Sequence, residues 1–123
     1  MTIETISLAD KLGAIDDRWN PKIVAELNGQ HVKLAKLEGE FVWHHHEDED
    51  ELFLVVEGVL SIELRDKTLE LAAGEMVVVP RGVEHRPVVP LGVCSVLLFE
   101  PASTVNTGNV EDDPRRVSTL ERF

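Results

Sequence analysis

Between residues 20 and 100 the chain alternates short apolar runs with brief polar or glycine-containing breaks. The runs are "KIVAEL", "HVKLAKL", "EFVWHHH", "ELFLVV", "VLSIELR", "TLELA", "EMVVVP", "EHRPVV" and "VCSVLLFE". Breaks fall at Asn28-Gly29, Glu57-Gly58, Asp66-Lys67, Ala73-Gly74, Arg81-Gly82 and Pro90-Leu91-Gly92. Many short strands at such spacing predict an all-β sandwich or barrel, with little room for parallel crossovers. Asn28-Gly29 between two extended runs predicts a tight hairpin. In "LSIEL", Leu60, Ile62 and Leu64 share one face, with Ser61 and Glu63 on the other. "MVVVP" and "SVLLF" do not alternate, so both of their faces are expected to be covered.

The flanks read differently. Ser7 is placed to cap a short helix through Leu12, with Gly13 ending it. After Pro101 the polar stretch "ASTVNTGNVEDD" reads as a loop or surface arm, and Asp113-Pro114 predicts a last short helix. The expectation is one domain over 1–123: an arm at 1–19, a barrel core at about 20–100 and a second arm at 101–123.

Composition narrows the function classes. The 43% hydrophobic and 28% charged fractions suit a globular chain of 123 residues that buries a core. No apolar run approaches the roughly 20 residues of a membrane span. "MTIETISLADKLGAIDD" lacks the basic start and apolar stretch of a secretory signal. Cys94 is the only cysteine, which excludes an internal disulfide and fits a reducing cytoplasm. The net charge of −11 argues against nucleic acid and anionic membranes as partners.

The densest polar cluster is "WHHHEDEDE", wedged between two apolar runs. Alternate strand side chains share a face about 6.6–6.8 Å apart, so His44 and His46 point one way, His45 and Trp43 the other. For that pair alone, a structural role and a metal-binding role both remain open. Glu51 heads the apolar run "LFLVV", where a buried carboxylate is costly unless a positive group meets it. A metal ion is such a group. His85, just after the turn at Pro80-x-Gly82, is a candidate fourth ligand. Glu47, Asp48, Glu49 and Asp50 read as a solvated acidic loop, and His45 and His31 as surface residues. If the alternation holds, Val42, Phe53 and Val55 make an apolar pocket around the ion. Arg81, Glu84 and Arg86 fall at its rim.

These residues resemble the two motifs of the cupin family. Gly39, His44-x-His46, Glu51 and Gly58 match the first, with four rather than five residues after the first glycine. Gly74, Pro80-x-Gly82 and His85 match the second, with Val89 where the family usually has Asn. The resemblance covers about residues 20–100 and is closest to small bacterial cupins of the sugar-isomerase-like group. It implies a double-stranded β-helix, or jelly-roll barrel, with His44, His46, Glu51 and His85 as metal ligands. It also implies a homodimer.

Three imidazoles and a carboxylate suit one divalent transition metal such as Fe, Mn, Ni or Zn. Tetrahedral Zn would be saturated by four protein ligands, whereas a six-coordinate ion would keep two positions open. Two functions are therefore expected. One is a metal-dependent oxygenase or isomerase acting on a small chelating molecule. The other is a non-catalytic binding or sensing cupin with a structural metal. No general acid or base is assigned. Trp43, Leu52, Leu54 and Val56 fall on the face opposite the ligands, to be covered by the N-terminal segment, a second copy, or both.

Overall fold

The computed structural model describes residues 3–123, so the first two residues of the N-terminal arm lie outside it. Strand β1 (Lys22–Leu27) and β2 (Gln30–Glu40) form the expected hairpin. Asn28 and Gly29 both have positive φ, 50° and 78°, as a tight turn matched to the strand twist requires. Then follow β3 (Glu51–Glu57), β4 (Val59–Leu64), β5 (Thr68–Ala72), β6 (Met76–Val79) and β7 (His85–Pro101).

The long β7 organises the jelly roll. Its first residues pair with β4, Leu64 opposite His85, and its later ones with β3, Leu52 opposite Phe99. Along its other edge it pairs antiparallel with β2 from Gln30–Pro101 to Glu40–Val88. That ladder shifts register between Glu38 and Gly39, where Val93 and Val89 are the successive partners. Pro90, Leu91 and Gly92 are thus extruded as a bulge, and the expected break survives as a corner inside one strand. Ala35, Leu37, Phe53, Leu60, Ile62 and Val96 are among the buried side chains of the interior cluster.

The N-terminal helix forms where expected. α1 (Leu8–Gly13) is capped by Ser7, whose hydroxyl accepts from the Asp10 N–H at 3.2 Å. Its Leu12, with Ile15 beyond it, packs on Leu34, Val56 and Leu97 on the outside of the barrel. Burying each of those two side chains contributes about 1.5–3 kcal/mol relative to exposure.

The helix expected from Asp113-Pro114 does not form. Asp113 instead accepts from the Arg115 N–H at 2.8 Å and binds its guanidinium, while Asn106 accepts from the Val117 N–H at 2.9 Å. Side chains that take up backbone donors offer the chain an alternative to helical turns. The arm ends instead in a short strand, β8 (Glu121–Arg122), parallel to β1. The buried Lys22 fastens it there through Glu121 at 2.9 Å. Among the described residues, no helix is long and apolar enough to cross a membrane.

Candidate metal centre

His44 and His46 do not sit in a strand. The expected strand "EFVWHHH" is replaced by an extended segment whose one sheet-like contact is a bridge between His44 and His85. Its alternation nevertheless holds over the histidines: His44 and His46 are buried and His45 turns outward to Glu47, 2.5 Å away. It fails just before them. Phe41 points inward, Val42 and Trp43 both lie between it and His44, and Val42 is not part of the pocket. The cause is the main chain, because Phe41 donates to Pro87 and His44 to His85, leaving two residues to span the gap.

Glu51 opens β3 and His85 opens β7, and both are buried. One ligating atom from each of His44, His46, Glu51 and His85 lies within 4.8 Å of the others. The Nε2 atoms of His46 and His85 are each 3.3 Å from Glu51 Oε1. The Nδ1 atoms of His44 and His85 donate to the carbonyls of Val42 and Val83, both at 2.9 Å. A carbonyl can only accept, so both Nδ1 atoms carry a proton, and Nε2 is the nitrogen each ring turns toward the site, as a metal-binding imidazole requires. His46 Nε2, His85 Nε2 and Glu51 Oε1 are buried without a hydrogen-bond partner. Buried polar atoms are rarely left so, and three converging ones fit a cation. The donor set therefore suits a transition metal of imidazole and carboxylate preference.

The electrostatics agree. Burial, and then His85, lower the pKa of His44 to about 4, keeping it neutral and ready to bind. Burial pushes the Glu51 carboxyl up, but His46, His85 and the nearby Glu100 outweigh this and hold it well below the usual range.

An apolar cleft opens beside the site, lined by Trp19, Phe41, Phe53, Pro87 and Leu98 together with His44 and Glu51. It is narrow, with a cavity volume of about 40 Å³. Phe53 lines it as expected, whereas Val55 is buried in the core behind. Trp19 stacks on Phe41 with ring centroids 4.6 Å apart and forms a wall that the sequence pattern did not reveal.

Glu100 also went unread. It lines the cleft, is 2% exposed, and accepts from the equally buried Lys33 at 2.8 Å. Its second oxygen has no partner. Burial and the adjacent Glu51 raise its pKa well above the ordinary value, with Lys33 opposing them. The sequence does not mark it, because "SVLLF" does not alternate; only in the structure do Cys94, Val96 and Leu98 turn inward, with Glu100 continuing the series. Asn106 lines the cleft too, but its side chain is committed to the Trp19 and Arg115 carbonyls and the Val117 N–H.

The other candidates lie outside the cleft. Arg81 pairs with Asp50, Arg86 with Glu40 and Glu63, and Glu84 with Arg65. His31 faces Glu26 at 3.3 Å. The acidic loop is partly tied down, for Ser103 donates to Glu49 at 2.8 Å and the Arg81 N–H to Asp50 at 2.9 Å.

Residues 30–97 match the Cupin domain family (Cupin_2), and the chain belongs to that family. It is similar to a cupin-2 domain containing protein from Shewanella frigidimarina, at 47% identity and a TM-score of 0.76, covering 78% of this chain and 93% of that one. A Neisseria meningitidis protein is 37% identical with a TM-score of 0.73, covering 80% of this chain and all of its own. An uncharacterized protein of Bacillus subtilis, YdbB, is 47% identical over 64 residues, 51% of this chain. The chain spans only 57% of that relative's length.

Proposed function

We propose that this cupin is a metal-dependent enzyme, an oxygenase or isomerase, acting on a small chelating molecule. The observation that carries the reading is the convergence of four buried ligand atoms, three of them unpartnered, at an apolar cleft. His44, His46, Glu51 and His85 would hold the ion. Once bound, the ion would polarise a chelating oxygen pair or, if redox-active, pass electrons toward dioxygen. The chain's own residues do the rest. Trp19, Phe41 and Phe53 exclude water and accept the apolar part of the ligand. Glu100 Oε2 is an uncommitted polar atom among the residues of the lining outside the ligand set, and would share a hydrogen bond with a bound hydroxyl.

The narrowness of the cleft favours a second reading, a sensing or binding cupin whose metal is structural. Protein purified without added ions, then loaded separately with Fe, Mn, Ni, Co and Zn, separates the two. Enediols, diketones and 2-hydroxy acids are added with and without dioxygen, following spectra, oxygen uptake and products. Turnover with one metal and one compound supports the enzyme. Spectral change without turnover supports the sensor. Failure of the protein to retain any of these metals overturns both.

A further inference from the structure

The segment that carries His44 and His46 lies outside the strand ladders, so its backbone must be held by other means. From the barrel, His44 and His85 exchange main-chain bonds of 3.0 and 2.9 Å, and the Gly82 N–H donates to the His46 carbonyl at 2.8 Å. From the opposite direction comes the C-terminal arm. The His45 N–H donates to Asn109 Oδ1 at 2.8 Å, and the Asn109 N–H donates to the His45 carbonyl at 3.0 Å. One residue thereby takes both main-chain polar groups of the residue between the two ligands.

The fit around that contact is close. Gly108 has φ +53°, and a Cβ there would stand 2.2 Å from the His45 carbonyl oxygen and 3.2 Å from Cδ2 of the His44 ring. Only glycine lets the arm approach so near. The turn bearing Gly108 and Asn109 is itself braced. Thr107, fully buried, donates through Oγ1 to the Val110 carbonyl at 2.6 Å, and the Val110 N–H returns to Thr107 at 3.0 Å. Arg116 closes the brace, donating to the Thr107 hydroxyl at 3.3 Å and to the Gly108 and Val110 carbonyls at 3.2 and 3.0 Å.

We infer that the turn at residues 107–110 is a clamp that fixes the ligand backbone and sets metal affinity, with Asn109 as its positioning residue. The inference rests on the metal reading above and places a determinant of the site beyond residues 30–97, the part matched to the family. The physical reason is geometric. Two imidazoles on an unladdered segment stay in coordinating position only if its main chain cannot shift. Groups that orient ligands without touching the metal typically change affinity by about 10–100-fold.

The test compares wild type, Asn109→Ala and Asn109→Asp by Co(II) affinity in chelator competition, by the visible spectrum of the Co(II) form, and by amide exchange at His45. Asn109→Ala should weaken Co(II) binding by about tenfold or more, alter the spectrum and speed exchange at His45. Asn109→Asp keeps the acceptor oxygen and should restore most of the affinity, a rescue that a merely structural role does not require. Wild-type affinity and spectrum in Asn109→Ala, or no rescue by Asn109→Asp, overturns the clamp. If wild type itself binds no Co(II), the metal reading fails. The His45 amide then still decides the contact: exchange faster in Asn109→Ala sustains it, and equal exchange removes it.

Discussion

Lys33 Nζ and a Glu100 carboxylate oxygen lie 2.8 Å apart, with each side chain only 2% exposed. Burying a lysine against a carboxyl costs desolvation on both sides, which is part of why the Glu100 pKa is raised, and removing one partner strands the other. Lys33→Met should destabilise the fold by about 3–5 kcal/mol, and Lys33→Met with Glu100→Leu should recover most of that loss. Urea unfolding of the two variants measures it. A single variant as stable as wild type would mean that Glu100 is not held as a charge.

Substitution of the ligands should sort them by role. His46→Ala and His85→Ala each remove a ligand and should lower metal occupancy sharply. Glu51→Gln keeps an oxygen but loses its charge, and should bind more weakly than wild type yet better than the alanine variants. His45→Ala should change little, because that ring turns away to Glu47. Metal content after gel filtration reads all four, and loss of metal in His45→Ala alone would reverse the assignment.

The metal-free protein should be acid-sensitive through His44. Its folded pKa, about 4, lies below the ordinary value of 6.5. Between those values the unfolded chain binds more protons, so the contribution is complete above about 6.5 and is lost as pH falls toward 4. The loss is on the order of 3 kcal/mol. Urea midpoints across this window should fall more steeply in wild type than in His44→Gln. Parallel profiles would remove His44 as the cause.

Two glycines with similar backbones should respond differently to alanine. Gly58 and Gly74 have φ of 88° and 87°, but a Cβ on Gly58 would lie 2.8 Å from the Val93 carbonyl oxygen, while one on Gly74 meets nothing within 4 Å. Gly74→Ala carries only the backbone cost, about 1–3 kcal/mol, and Gly58→Ala adds the clash. Thermal melts of the pair should rank them in that order, and equal losses would contradict the close approach.

A second copy of the chain is the expected cover for the apolar strip left on the barrel. The N-terminal helix covers Val56, and Arg65 stacks over Trp43 at 3.8 Å. Leu52 and Leu54 remain half-buried beside Met76 and Val78, which are 64% and 52% exposed. Light scattering at micromolar concentration should give a dimer mass, and Val78→Glu should shift it toward monomer. A monomeric wild type would leave the strip without this partner.

The parts of the molecule written in local chemistry were legible. Asn-Gly specifies its turn, Ser7 its helix start, and the two-residue period places His44 and His46 together even without a strand. What escaped depends on distant partners. Glu100 ends an apolar run and reads as a surface terminus until Lys33 is seen across the ladder. Asp113-Pro114 carries a helix-start signal, but the distant Asn106 takes the Arg115 carbonyl and the Val117 N–H that helical turns would use. No local pattern marks Arg116, because the turn it braces is defined only once the arm has folded back.

The central position of β7 has a consequence for the order of events in synthesis. His44, His46 and Glu51 emerge from the ribosome first, but His85 starts the strand that must then insert between β2, β3 and β4. Pairings so far apart in sequence form slowly, and until they do the apolar edges of three strands stand open to aggregation. An ion held by all four side chains can bind tightly only after that insertion. Metal capture would then latch the finished barrel and draw folding toward completion.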